Sequence, residues 1–134
     1  MKKSINLFQL GKFMLHSGKK SLWKIDCDAL TDEDYEVLAY IVAKEWKLHY
    51  MKVITIPTGG NRFANKLKRY ETWNWSDPIL IVDDVLTTGN SFEVVKKEEV
   101  KEVIGVVIFA RGQCPDWVRP IFQMNNRIEA KNEK

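Results

Sequence analysis

The sequence predicts an α/β domain built on a small parallel sheet, with a separate hairpin ahead of it. Three observations carry this expectation. Met51–Pro57 (MKVITIP), Ile79–Val85 (ILIVDDV) and Val103–Ala110 (VIGVVIFA) are short runs apolar on both faces, as interior strands covered by helices on both sides must be. The stretches Asn61–Tyr70 and Ser91–Glu102 lie between those runs and have helical character. That alternation is the pattern of parallel strands joined by right-handed crossovers. The chain ahead of the first helix patterns differently: Phe13–Ile25 is two short runs around Ser17-Gly18-Lys19-Lys20, a hairpin outside the main sheet.

The elements follow in order. Thr31 with Asp34 three residues on forms a capping box, with Asp in place of the usual Glu, and acidic residues fill the first turn where the helix dipole favours them. Tyr35, Leu38, Ile41, Val42, Glu45 and Trp46 then recur at helical spacing, which predicts a helix to about Lys47 with Trp46 in the core. His49 reads as a cation at that helix's C-terminal end. The first apolar run ends at Thr58-Gly59-Gly60, Pro78 introduces the second, and a fourth strand is expected at Arg119–Met124 after the turn Pro115–Val118. VVKKEEVKEV reads as a solvated helix face with i,i+4 charge pairs. Residues 1–30 thus precede the core, 31–124 form it, and 125–134 are a polar, frayed tail.

Composition sets the outer limits. A chain of 134 residues has room for one domain, and 45% apolar with 29% charged residues is globular rather than disordered. A formal charge of +3 compels no nucleic-acid partner. Cys27 and Cys114 stand alone, far apart, which excludes a disulfide scaffold or zinc ribbon and makes both small apolar fillers. No run approaches the ~18 apolar residues of a membrane span. The first twenty residues lack the apolar stretch and small-residue cleavage site of a secretion signal, so the cytoplasm is expected.

The chemistry concentrates in Ile79–Ser91, ILIVDDVLTTGNS. A buried strand delivers Asp83 and Asp84 to its C-terminal end, and Thr87-Thr88-Gly89-Asn90-Ser91 follows before a helix begins. Ligands of open α/β sheets bind at that end. Small hydroxyl residues, backbone N–H groups and a helix N-terminus make an anion site there, and Gly89 permits a φ > 0 turn. Two carboxylates beside a phosphate cradle would repel the phosphate, unless the ligand also carries vicinal hydroxyls that donate to them. The physical reading is a ribose 5-phosphate pocket. A Walker B strand also ends in acids, but no GxxxxGK[ST] precedes this one. A receiver-domain acidic pair should open the domain rather than close a second strand.

ILIVDDVLTTGNS resembles the phosphoribosyl-pyrophosphate (PRPP) signature of type I phosphoribosyltransferases. Phe13-x-Leu15-x-Ser17-Gly18-x-Lys20-Ser21, continuing through Trp23 to Ile25-Asp26-Cys27, resembles the N-terminal hood of orotate phosphoribosyltransferases. Ile56-Pro57-Thr58-Gly59-Gly60 resembles that family's pyrophosphate loop. The likeness spans about Phe13 to Arg111 and implies a type I phosphoribosyltransferase core with an N-terminal hood hairpin. It also implies roles. Asp83 and Asp84 would hold the ribose hydroxyls and act in catalysis, possible ligands of Mg²⁺ through water; Thr87, Thr88, Gly89, Asn90 and Ser91 would bind the 5-phosphate. Thr58, Gly59, Gly60 and Arg62 would bind pyrophosphate, and His16, Lys19, Trp23, Lys24 and Arg111 would line the base pocket, with Lys19, Trp23 or Lys24 facing Arg111 across the ligand. Mg²⁺ would arrive with PRPP, held mainly by its oxygens. The acceptor would be a nitrogenous base, an orotate-like pyrimidine favoured by a multi-donor arginine, and the assembly a homodimer. The alternative is a non-catalytic PRPP- or nucleotide-binding module of the same fold. The family's long mobile loop has no counterpart, since Asn65–Pro78 is only 14 residues. Lys66, Lys68 and Arg69 could partly substitute for it or form a solvated face. Trp73 and Trp75 could stack as a lid over a base or make a core or dimer contact.

Overall fold

The computed structural model describes residues 5–57 and 59–124; Thr58 and the polar tail 125–134 lie outside the described residues. Strands β1 (Phe8–Met14) and β2 (Lys20–Ile25) form an antiparallel hairpin of their own, five residues longer at its start than the pattern around Ser17-Gly18 suggests. Its register shifts between Leu10 and Phe13, where Gly11 has φ +154°.

Helix α1 (Asp32–Tyr40) starts with the expected box: Asp34 N–H donates to Thr31 Oγ1 at 3.1 Å and Thr31 N–H donates to an Asp34 carboxylate oxygen at 2.8 Å. The helix does not keep its pitch to Lys47. From Ile41 to Glu45 it widens into a π turn, with Trp46 N–H bonded to Ile41 O at 2.8 Å. The wider turn rotates the inward face, so Val42 and Ala43 are buried while Ile41 is only half-buried. Trp46 is half-buried as well, with the Arg119 guanidinium 3.6 Å over its ring. His49 lies four residues beyond the helical turns, so it caps nothing.

The main sheet has strand order β3 (Val53–Thr55), β4 (Ile79–Leu86), β5 (Val103–Ala110) and β6 (Val118–Gln123), all parallel. Helix α2 (Asn61–Leu67) joins β3 to β4 and ends in a 3₁₀ turn, Lys68–Tyr70; α3 (Asn90–Lys97) joins β4 to β5 and stops five residues short of Glu102. Two cores result. Leu80, Val82, Val106 and Ile108 pack with Tyr35, Leu38, Phe63 and Leu67 on the α1/α2 face. Ile79, Ile81, Val103 and Val107 pack with Phe92 on the α3 face. Among the described residues no helix is long and apolar enough to cross a membrane.

The two crossovers have opposite hands, which corrects the expectation that both are right-handed. Both advance in the same direction through the sheet, yet α2 and α3 cover opposite faces. Leu80 and Val82 point their side chains toward α2 and exchange backbone bonds with β3 (Leu80 N–H to Lys52 O, 2.9 Å; Ile56 N–H to Val82 O, 3.0 Å). For L-residues this arrangement makes β3–α2–β4 left-handed and β4–α3–β5 right-handed, and left-handed units are about 2% of such connections. The connection after α2 explains how the exception is held. Thr72 N–H bonds Tyr50 O (2.9 Å), Trp73 N–H bonds Met51 O (3.1 Å), and a Glu71 carboxylate oxygen accepts from Val53 N–H (2.9 Å). Residues 71–73 therefore cover the amino half of the outer edge of β3, where a further strand would otherwise pair.

Candidate functional site

Strand β4 is buried from Ile79 to Val82 and turns half-buried at Asp83 and Asp84, where the carboxyl ends of the strands meet the turns into α2 and α3. Alternation along the strand sends Asp83 toward the α3 face and Asp84 toward the α2 face. Asp84 N–H donates to Asp83 Oδ1 at 2.8 Å, and Val85 N–H donates to Asp84 Oδ1 at 2.7 Å, so one oxygen of each carboxylate is tied to the backbone. Burial, followed by the neighbouring negative charge of Asp84, pushes the Asp83 carboxyl up to about 8.

The turn into α2 lies against this pair. A Cβ on Gly59 would stand 2.6 Å from Asp84 Oδ1, and one on Gly60 would meet Thr55 Oγ1, Val82 O at 2.9 Å and Asp83 Cα at 3.0 Å. Glycine is required at both positions because the backbone runs directly over the Asp84 carboxylate at Gly59 and over the β4 backbone at Gly60. The turn into α3 is built likewise. Gly89 has φ +84°, a Cβ there would meet Pro115 Cδ at 3.0 Å, and one on Gly112 would run into Thr87 O. Asn90 N–H donates to Thr88 Oγ1 at 3.3 Å as the helix begins.

Arg111 follows β5 at the same end, its N–H bonded to Leu86 O at 2.7 Å. Its guanidinium carbon lies 3.6 Å over the Trp23 ring; Nη1 donates to Trp23 O (3.1 Å) and Nη2 to Ser21 Oγ (2.8 Å). Burial lowers its pKa from the usual arginine value. The hairpin is thus joined to the sheet through this residue. The expectation that Lys19, Trp23 or Lys24 faces Arg111 across a ligand is revised: Trp23 touches it directly, and the Lys24 ammonium sits 5.0 Å over the Phe13 ring. His16 and Lys19 are exposed in the turn of the hairpin, away from these contacts.

Other expected residues are engaged elsewhere. Arg62 pairs with Asp32 at 3.1 Å and lies 4.7 Å over the Tyr35 ring, so its charge is directed at α1 rather than at the Gly59-Gly60 turn. Lys66 pairs with Glu36 at 3.3 Å and Arg69 lies 6.0 Å over Tyr70. Trp73 and Trp75 precede Pro78, at the amino end of the sheet, 68% and 73% exposed. They form neither a lid over the carboxylates nor part of the core. Thr58 lies outside the described residues. Sequence reasoning missed two contributors. The Cys27 thiol packs in the core as the small apolar filler it read as, and it also lies beside Asp84, a neighbour the sequence did not signal; burial together with that carboxylate raises its pKa. Ser21 bonds Arg111 across 90 positions, a separation no local pattern signals. Two grooves lie off the carboxylates: about 430 Å³ along the hairpin beside Phe13, Met14 and Leu22, and about 610 Å³ between β3 and α2.

Among the described residues no group of three or more His, Cys, Asp or Glu side chains could hold a metal ion by itself. Asp83 and Asp84 form a partial donor set, fitting hydroxyl donors or a hydrated cation completed by ligand oxygens.

A strand-end acidic pair, two glycine-bearing turns and a hairpin leaning on the sheet gather at one end of an α/β fold. Its relatives among solved structures specify that further. No protein-family model and no curated protein matches the sequence. The structure is similar to orotate phosphoribosyltransferase from Aeropyrum pernix, with a TM-score of 0.68 and 23% identity over 94% of this chain and 93% of that one. It is similar to the Mycobacterium tuberculosis H37Rv orotate phosphoribosyltransferase in complex with Fe(III) dicitrate (TM-score 0.62, 13% identity, 87% and 89% covered). It is also similar to the Francisella tularensis orotate phosphoribosyltransferase (0.58, 16%, 96% and 86%). The chain has the orotate phosphoribosyltransferase-like, type I phosphoribosyltransferase fold, in a compact form.

Proposed function

We propose that the protein is a type I phosphoribosyltransferase, transferring ribose 5-phosphate from PRPP to a nitrogenous base, an orotate-like pyrimidine, with release of pyrophosphate. The observation that supports this most is the convergence of Gly59 and Gly60 on Asp83 and Asp84, with the Thr87–Ser91 turn beside them. The reaction breaks the bond between ribose C1 and a pyrophosphate oxygen and forms one between C1 and a ring nitrogen. Asp83 and Asp84 hydrogen-bond the two ribose hydroxyls, and the positive charge that develops on the sugar favours release of the proton that burial holds on Asp83 up to about pH 8. Backbone N–H groups of Thr58, Gly59 and Gly60 receive the departing pyrophosphate, and Thr87, Thr88, Gly89, Asn90 and Ser91 anchor the 5-phosphate. Asp83 and Asp84 would hold, through water, a Mg²⁺ bound with PRPP, which would supply neutralisation of the leaving group. The test is pyrophosphate release with PRPP, Mg²⁺ and a panel of bases. Base-dependent release supports the reading, and no PRPP binding in wild type rejects it.

The second reading is a non-catalytic PRPP- or nucleotide-binding module. It is favoured by the course of the α2–β4 connection, which runs to the amino end of the sheet and supplies no cover to the carboxylates. Tight PRPP binding without pyrophosphate release selects it. Either form is proposed to work in the cytoplasm as a homodimer. Leu10 (91% exposed), Leu22 (70%) and Met14 (63%) give the hairpin an apolar surface suited to a second copy. Sedimentation at micromolar concentration checks this, and a monomer alone rejects it.

A further inference from the structure

The hairpin presents two oxygens to Arg111 as a carboxylate would. Ser21 Oγ donates to Trp23 O across 2.6 Å, so the two acceptors lie side by side, and each takes one bond from a different Nη of Arg111. The guanidinium is thereby gripped by the end of its fork while one flat face rests on the Trp23 ring. Planar guanidinium groups recognise paired oxygens by either of two edges, the Nη–Nη end or the Nε–Nη side. Here the first edge and one face are occupied, which leaves the side edge and the other face. Both partners are neutral. Among the described residues Arg111 has no carboxylate within 4.0 Å, so its charge is uncompensated.

We propose that Ser21 and Trp23 are positioning residues for Arg111, fixing the guanidinium plane so that its Nε–Nη side meets the oxygens of a planar, anionic ring. This rests on the reading of Arg111 as base-facing. The Ser21–Trp23 stretch of β2 does not depend on Arg111 for its own hydrogen bonds, because Ser21 Oγ also accepts from Trp23 N–H at 3.2 Å. Its role is therefore to hold the arginine, and the stretch stays satisfied when the arginine leaves. A hood that moved away would take the plane of Arg111 with it, so recognition of the ring and seating of the hairpin form one event.

Orotate is the probe, titrated into the full chain with ribose 5-phosphate present. Ser21→Ala, which removes one acceptor, and Trp23→Ala, which removes the ring face under the guanidinium and keeps the backbone carbonyl, are each expected to weaken orotate binding by about tenfold. Trp23→Phe, which keeps a ring face, restores most of it, and ribose 5-phosphate affinity is unchanged in all three. Tighter orotate binding in Ser21→Ala would mean that the hairpin competes with the ligand for the fork, which overturns the proposal, as does no change. A second readout needs no ligand: in arginine side-chain NMR, wild-type Arg111 shows slow rotation of its Nη groups, and Ser21→Ala, which removes the partner of Nη2, speeds it. If wild type ignores orotate, the choice of base in the proposed function fails. The positioning role is then judged on that spectrum alone, and freely rotating Nη groups in wild type reject it.

Discussion

The two strand-to-helix turns at the carboxyl end of the sheet do similar work by different means. The turn after β3 carries its glycines over the Asp83–Asp84 pair, in contact with carboxylate oxygens and strand backbone. The turn after β4 bends away from the pair through a left-handed Gly89 and is braced from outside by Gly112 and Pro115. The first is crowded by charge; the second is crowded by Pro115 and the Thr87 carbonyl and also needs a left-handed residue. The helices they lead into then part to opposite faces, one through a left-handed connection and one through a right-handed one. Closeness, not loop composition, distinguishes the part of the site that touches charge from the part that receives it.

The comparison breaks first at Gly59. Gly59→Ala is expected to weaken PRPP binding on the order of a hundredfold, since about 3 kcal/mol of overpacking falls on the Asp84 carboxylate; calorimetric titration checks this. The two helical faces are compared by Phe63→Ala and Phe92→Ala. Both side chains are fully buried, at 0% and 1% exposure. Each variant should lose about 3–5 kcal/mol in urea unfolding. A much smaller loss for Phe63 would show that the α2 face is loosely packed under its unusual connection.

Asp83 gives a pH-dependent test. Its native pKa is raised above the ordinary carboxylate value, so the native state holds the proton more tightly than the unfolded chain. The contribution is fully present below pH ~4 and is lost as pH rises toward and through about 8. Asp83→Asn removes that loss, so its melting temperature should exceed that of wild type by several degrees at pH 9 and by little at pH 4. An equal difference at both values would contradict the burial of Asp83. Smaller again is Gly89→Ala, expected to cost about 1–2 kcal/mol for a left-handed residue with a Cβ. Glu71→Ala should cost about 1 kcal/mol by freeing Val53 N–H, read as faster hydrogen exchange there.

Where local chemistry decides structure, the sequence was legible. The Thr31–Asp34 box formed as expected, and β5 has the limits of its apolar run, because a strand buried on both faces has no other composition available. β4 extends one residue further, to Leu86. The acidic pair and the glycine turns were legible for the same reason. Trp46 packs half-buried against the core, as its spacing implied, whereas His49 was misplaced because the helix ends in a π turn at Glu45, and no residue in Ile41–Glu45 announces it. Arg62 and the Trp73–Trp75 pair were read from their place in a motif or loop. Their actual partners, Asp32 and the amino end of the sheet, depend on how the elements pack. The hand of the β3–α2–β4 connection was equally hidden, since apolar periodicity places a helix on a face without saying which.

The Glu71 cap has an architectural consequence. A segment spliced in between Leu67 and Pro78 could rise along the outer side of β3, and the path from β3 through α2 would then lead outward instead of inward. With α2 on its present face, that reverses the hand to the common one and makes β3 an interior strand. The chain therefore carries a ready port for enlargement, closed at present by the Glu71 carboxylate on Val53 N–H and by the Thr72 and Trp73 amides just before it. A graft there would enlarge the sheet without disturbing the carboxyl ends of β4 and β5.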